Sequence, residues 1–101
     1  MYSVYVVELD PIVRGRRACV NALPNRPAVY VGQTVRVPEE RLAEHLAGTH
    51  AARIVRDHAM QLLPNLSANY GPYPTRAEAE AAEARLAAKL KRRGYCVFGG
   101  H

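Results

Sequence analysis

The sequence predicts an α+β fold: a small, mostly antiparallel three-stranded sheet, made of a hairpin plus a third strand and flanked by helices. Three observations carry this expectation. Two segments rich in Val and Tyr, "YSVYVVEL" at 2–9 and "AVYVGQ" at 28–33, have strand composition. A shorter apolar run, "AMQLL", follows at 59–63. Around these lie segments with helical start and stop signals, the longest at 75–93. With 101 residues the chain supports one core, so residues 1–101 are read as a single domain.

In order along the chain, "YSVYVVEL" reads as a central strand, ended by Asp10-Pro11. The stretch 11–27 carries "RGRR" and "LPNRP", so it reads as a long connection with one helical turn around "RRACVNAL". In the second strand Tyr30 and Gly32 share one face, Val29 and Val31 the other, and pairing with the first strand makes a hairpin. Pro38 suits a first helical turn, Glu39 and Glu40 favour its positive end, and Gly48 is a natural stop. At about 100° per residue, Leu42 and Leu46 form the ridge expected to be buried. Arg41 and His45 stack one turn apart on the neighbouring ridge. "HAARIVRDH" continues as a second short helix, Pro64 closes the third strand, and "NLSANYGPYP" reads as a turn-rich loop.

"TRAE" at 75–78 then matches the capping box, with the Thr75 side chain and Glu78 satisfying each other's backbone N–H. The helix it opens is expected to run to about Arg93 and stop at Gly94. Glu78, Glu80 and Glu83 occupy its first half and Lys89, Lys91, Arg92 and Arg93 its end, as the helix dipole favours. "YCVF" offers a last short strand.

Composition bounds the function. Hydrophobic residues make up 49%, ordinary for a globular chain, and the net charge is +5, so a polyanion is the first partner to consider. Cys19 and Cys96 are too few for a zinc site and read as reduced residues of a cytoplasmic protein. No apolar run approaches the roughly 18–20 residues that span a bilayer, so no membrane partner is expected. "MYSVYVVELD" lacks the basic start and small-residue cleavage site of a signal peptide.

One residue breaks the pattern. On the last helix Ala79, Leu86 and Leu90 fall within about 40° of one another and define the core stripe. Glu83 lies only about 40° from its centre, with Glu78 and Glu80 near its flanks. A carboxylate turned toward the core costs free energy unless a cation or metal meets it.

"Ser3-Val4-Tyr5", then "Tyr30-Val31-Gly32", then "Arg41-Leu42" on a helix and a helical Glu83 stand in an order that resembles the GIY-YIG endonuclease domain over essentially the whole chain. The resemblance implies a metal-dependent endonuclease that hydrolyses phosphodiester bonds of DNA, with RNA less favoured. It implies Glu83 as the ligand of Mg2+ or Mn2+, a hard cation that keeps its waters. Arg41 would donate to the charge developing on the phosphate. One of Tyr5 and Tyr30 would activate or orient the attacking water while the other positions it. A free tyrosine titrates near pH 10, so a base role needs a cation nearby. His45 would assist proton transfer.

Several features depart from the family pattern. The first motif has Ser-Val in place of Gly-Ile. Between Tyr5 and Tyr30 lie 24 residues, where roughly ten is usual. Gln33 stands where many members have lysine, and "GYCVFGGH" supplies no asparagine after the last helix. Candidate nucleic-acid contacts are Gly32, Gln33, Arg36, Arg53 and Lys89, with Arg14, Arg16, Arg17, Arg56, Lys91, Arg92 and Arg93 in a wider basic set. Nothing resembles a sequence-reading module. Cutting both strands with one site needs two copies, which makes a homodimer a candidate state. Two alternatives stay open: a non-catalytic nucleic-acid-binding module and a protein-interaction module on the same scaffold.

Overall fold

A computed structural model describes residues 1–35, 37–46 and 52–100, without the side chain of His45. Strand β1 is Ser3–Leu9, and two 3-10 turns follow at Pro11–Gly15 and Arg17–Cys19. Then come β2 (Ala28–Thr34), α1 (Pro38–Leu46), α2 (Arg53–His58), β3 (Ala59–Leu62), α3 (Pro64–Ser67), α4 (Arg76–Arg92) and β4 (Cys96–Gly99).

The fold class is α+β, but the sheet has four strands in the order β3-β1-β2-β4 and is mixed. The hairpin is present: β1 and β2 pair antiparallel, with Tyr5 opposite Gly32 and Val7 opposite Tyr30. β3 lies antiparallel on the other edge of β1, so β1 is central as expected. The three-strand expectation is corrected by β4, which pairs parallel to β2 from Ala28↔Cys96 to Val31↔Gly99. A parallel neighbour needs a crossover connection, and α4 supplies its final limb.

Both faces of the sheet are covered, which is why four consecutive residues, Val4 to Val7, are buried. Side-chain alternation sends Val4, Val6, Val29 and Val31 against Ala82, Leu86, Ala87 and Leu90 of α4. On the opposite face Tyr5, Val7, Leu9, Ala28 and Cys96 pack with Val13, Cys19 and Val55.

The α4 capping box is formed: the Glu78 backbone N–H donates to Thr75 Oγ1 at 3.2 Å, and the Thr75 N–H donates to Glu78 Oε2 at 3.3 Å. Ala79, Leu86 and Leu90 are buried. The expected α1 ridge is corrected in part. Leu42 packs at the edge of the second cluster, while Leu46, the last residue of the helix and one turn further on, is 55% exposed. The turn-rich loop also holds one helical turn, α3, opened by Pro64 at its first position.

The 11–27 connection folds back on the sheet instead of looping free. Arg14 donates to the carbonyls of Leu23 and Arg26, and the Leu23 N–H donates to the Gly94 carbonyl. This return carries Cys19 to Cys96, at the start of β4, with Cα atoms 4.6 Å apart and the sulfurs joined as a disulfide. The expectation of two reduced cysteines is thereby corrected, and with it the argument they gave for a reducing compartment. Among the described residues no helix is long and apolar enough to cross a membrane.

Candidate active site

The antiparallel register sets Tyr5 and Tyr30 on one face of the sheet, their rings 6.5 Å apart and tilted by 38°. Each ring lies over a glycine. A Cβ on Gly32 would stand 2.6 Å from the Tyr5 hydroxyl, and one on Gly99 would stand 2.9 Å from the Tyr30 ring. The pairing of β4 ends at Val31↔Gly99, so β2 continues past its neighbour from Gly32 to Thr34. Here a side chain from the α4 layer meets the tyrosine face. The result is a cleft of about 290 Å3 lined by Tyr5, Tyr30, Gly32, Gln33, Arg41, Arg76, Glu80 and Glu83.

Glu83 is 6% exposed, the one charged residue among the buried side chains of α4. Arg41 reaches in from α1, where its guanidinium donates a hydrogen bond to the Tyr5 hydroxyl and pairs with Glu44 at 3.7 Å. Burial pushes the Tyr5 hydroxyl up from 10.0 to about 12; the neighbouring Tyr30 and the Glu83 charge act in the same direction. The Arg41 hydrogen bond and charge pull downward and lose. Tyr30 is raised as well, first by burial and then by Glu83, with Arg41 opposing. The expected lowering of a tyrosine by a nearby cation is therefore corrected. Arg41 is present and acts in that sense, but desolvation outweighs it. At neutral pH both phenols keep their protons and can donate hydrogen bonds.

Gln33 contributes an unusual group, because its Oε1 is shut away from water with no hydrogen-bond partner among the described residues. An acceptor left in that state costs about 1–3 kcal/mol, which a donor on a bound molecule would recover.

Among the described residues no group of three or more His, Cys, Asp or Glu side chains is placed to hold a metal ion. The cleft instead offers Glu83, with Glu80 three residues before it on the same helix. That donor set does not suit a cation caged by protein. It does suit a hard one such as Mg2+ or Mn2+, which binds through one or two carboxylates plus substrate oxygens and water.

Chain comparisons add no relative. The sequence matches no protein-family model, no curated protein and no solved structure.

The cleft thus brings together Tyr5, Tyr30, Arg41, Glu83, Gly32 and Gln33 from the residues expected by sequence. Gly32 enters by leaving room for Tyr5. Arg53 is elsewhere: it lies on α2, paired with Asp57 at 3.7 Å, and lines a separate cleft with Arg16 and Ile54. Lys89 is half-buried on α4, outside the cleft lining. His45 falls one turn after Arg41 in α1; its side chain and all of Arg36 lie outside the described residues. Arg14 spends its donors on loop carbonyls. Sequence reasoning did not assign Arg76 and Glu80 to the site. Their spacing from Glu83, seven and three residues, was the available signal.

Proposed function

We propose that this chain is a divalent-metal-dependent endonuclease of the GIY-YIG type, acting on phosphodiester bonds of DNA. The supporting observation is convergence. Tyr5, Tyr30, Arg41 and Glu83 come from β1, β2, α1 and α4, and all four line one cleft. The same four stand along the chain in the order that resembles the GIY-YIG domain.

Each residue has a role its surroundings suit. Glu83 would hold Mg2+ or Mn2+. Such a cation, when bound, polarises the scissile phosphate and steadies the departing oxygen. Arg41 is half-buried and held by Tyr5 and Glu44, which places its guanidinium to meet phosphate oxygens with little reorganisation. Tyr5 and Tyr30, protonated near neutrality, hold the attacking water and the phosphate by O–H donation. Proton removal then falls to a group other than a phenol, and His45 on α1 is the candidate.

The test uses purified protein with supercoiled, linear, branched and single-stranded DNA, with and without Mn2+. Glu83→Gln and Arg41→Ala should each lower cleavage by about 100-fold or more, while Glu83→Gln still binds DNA. Wild type that leaves all four substrates intact would end the enzyme reading.

A second reading, a non-catalytic DNA-binding module on the same scaffold, is favoured by one observation: neither phenol is poised to lose a proton near neutral pH. It requires binding without cleavage, with affinity that falls steeply as salt rises. In either case one cleft acts on one strand, so double-strand cleavage calls for two copies of the chain.

A further inference from the structure

Two side chains of the cleft, Arg76 and Glu80, form an ion pair of their own. Arg76 opens α4, and its Nε donates to Glu80 Oε1 at 2.9 Å, one turn along. The side chains are 70% and 52% exposed, so water and salt screen the pair. Arg76 also lines a second cleft of about 210 Å3, shared with Tyr2, Thr34, Val35 and Glu44. Gln33, Arg41 and Arg76 border both clefts, which therefore lie side by side with Arg76 between them.

A single phosphate needs only the first cleft. A second cleft beside it, with a guanidinium bordering both, suits a polymer whose next phosphate arrives at a fixed distance along the strand. We propose that Arg76 grips the phosphate adjacent to the one held by Arg41, and that Glu80 is an internal competitor which a DNA strand displaces on entering. The inference rests on reading the first cleft as a phosphodiester site. The exchange is favourable because the exposed pair is weak and uses only the Arg76 Nε bond, whereas a phosphodiester can take two parallel N–H bonds from the guanidinium and its strand releases condensed counterions on binding. Once released, the Glu80 carboxylate turns outward into solvent that already reaches half of it.

The two partners make opposite predictions, which a purely structural pair would not. Binding of a labelled single-stranded oligonucleotide is followed by fluorescence anisotropy over a range of NaCl, without divalent cation. Arg76→Ala should weaken binding about tenfold at low salt and flatten the log–log salt dependence by about 0.7. Arg76→Lys should restore the salt dependence while regaining part of the affinity, since it keeps the charge but not the fork. Glu80→Gln should tighten binding about two- to threefold. Arg76 is exposed and the capping box does not depend on it, so circular dichroism of Arg76→Ala should match wild type.

Unchanged affinity and salt dependence in Arg76→Ala would overturn the inference. So would weaker binding in both Arg76→Ala and Glu80→Gln, the pattern expected from loss of a helix-stabilising pair. The nuclease reading fails by a different result: wild type that binds the oligonucleotide but does not cut DNA with Mn2+. Cleaving wild type with unaltered binding by Arg76→Ala sinks this inference alone.

Discussion

Tyr5 stands directly across the β1–β2 ladder from Gly32, and a methyl group on Gly32 would lie 2.6 Å from the Tyr5 hydroxyl. Gly32 is not among the glycines with positive φ, so it is required by the space above it and not by its own backbone. The ring it accommodates is 3% exposed and rigid, with little freedom to step aside.

Gly32→Ala should therefore destabilise the fold by about 1–3 kcal/mol, as overpacking does, and should displace the Tyr5 hydroxyl from Arg41. Adding Tyr5→Phe removes the nearest clashing atom, so the double variant should recover part of the loss. A double-mutant cycle from urea unfolding reads the coupling. Strict additivity, or a Gly32→Ala protein as stable as wild type, contradicts the packing argument.

The tyrosine pair also sets an alkaline limit. Tyr5 titrates at about 12 in the folded chain against 10.0 when unperturbed, so between these values the native state binds the proton more tightly than the unfolded state. Stability is then fully present below pH 10 and declines as pH rises through about 12, by about 2–3 kcal/mol for this one group. Tyr30 adds in the same direction. Phenolate absorbance during a pH titration should show two late-titrating tyrosines. Tyr5→Phe should make the alkaline fall in unfolding free energy shallower; an unchanged slope would remove Tyr5 as its source.

The disulfide joins residues 77 apart in sequence. Crosslinks that close long loops stabilise mainly by restricting the unfolded chain, typically by about 2–4 kcal/mol. Reductant, or Cys19→Ser with Cys96→Ser, should lower the denaturant midpoint by a corresponding amount. Identical midpoints in oxidised and reduced protein would show that the two sulfurs are not bonded in solution.

Thr75→Ala should cost about 1 kcal/mol through loss of the N-cap. Because α4 carries Arg76, Glu80 and Glu83 within its first eight residues, the same variant should also loosen the cleft. Amide hydrogen exchange in the first turn measures this directly, and protection equal to wild type would exclude it.

The hairpin, the long helix and its cap were legible because their signals are local: β-branched composition, apolar spacing and a Thr–Glu pair three residues apart. Glu83 was legible for a related reason, since a carboxylate interrupting an apolar stripe stands out on a helical wheel. The fourth strand's partner was not. "YCVF" reads as a strand anywhere, and its parallel pairing with β2 joins segments that no local period connects. The placement of Arg76 and Glu80 beside the tyrosines was hidden as well, because it depends on how α4 lies against the sheet. The raised tyrosines were hidden too: residue identity supplies the Arg41 charge, but only the packed structure reveals how much water the phenols have lost. The cysteine bond likewise required knowing that residues 11–27 turn back toward β4.

Tyr5 lies on the first strand, whereas Glu83 follows most of the chain, on α4. The cleft therefore exists only once segments far apart in sequence have come together, and such distant pairings form slowly. Any activity it supports should return no sooner than the slowest recovery of structure, making turnover a reporter of complete assembly.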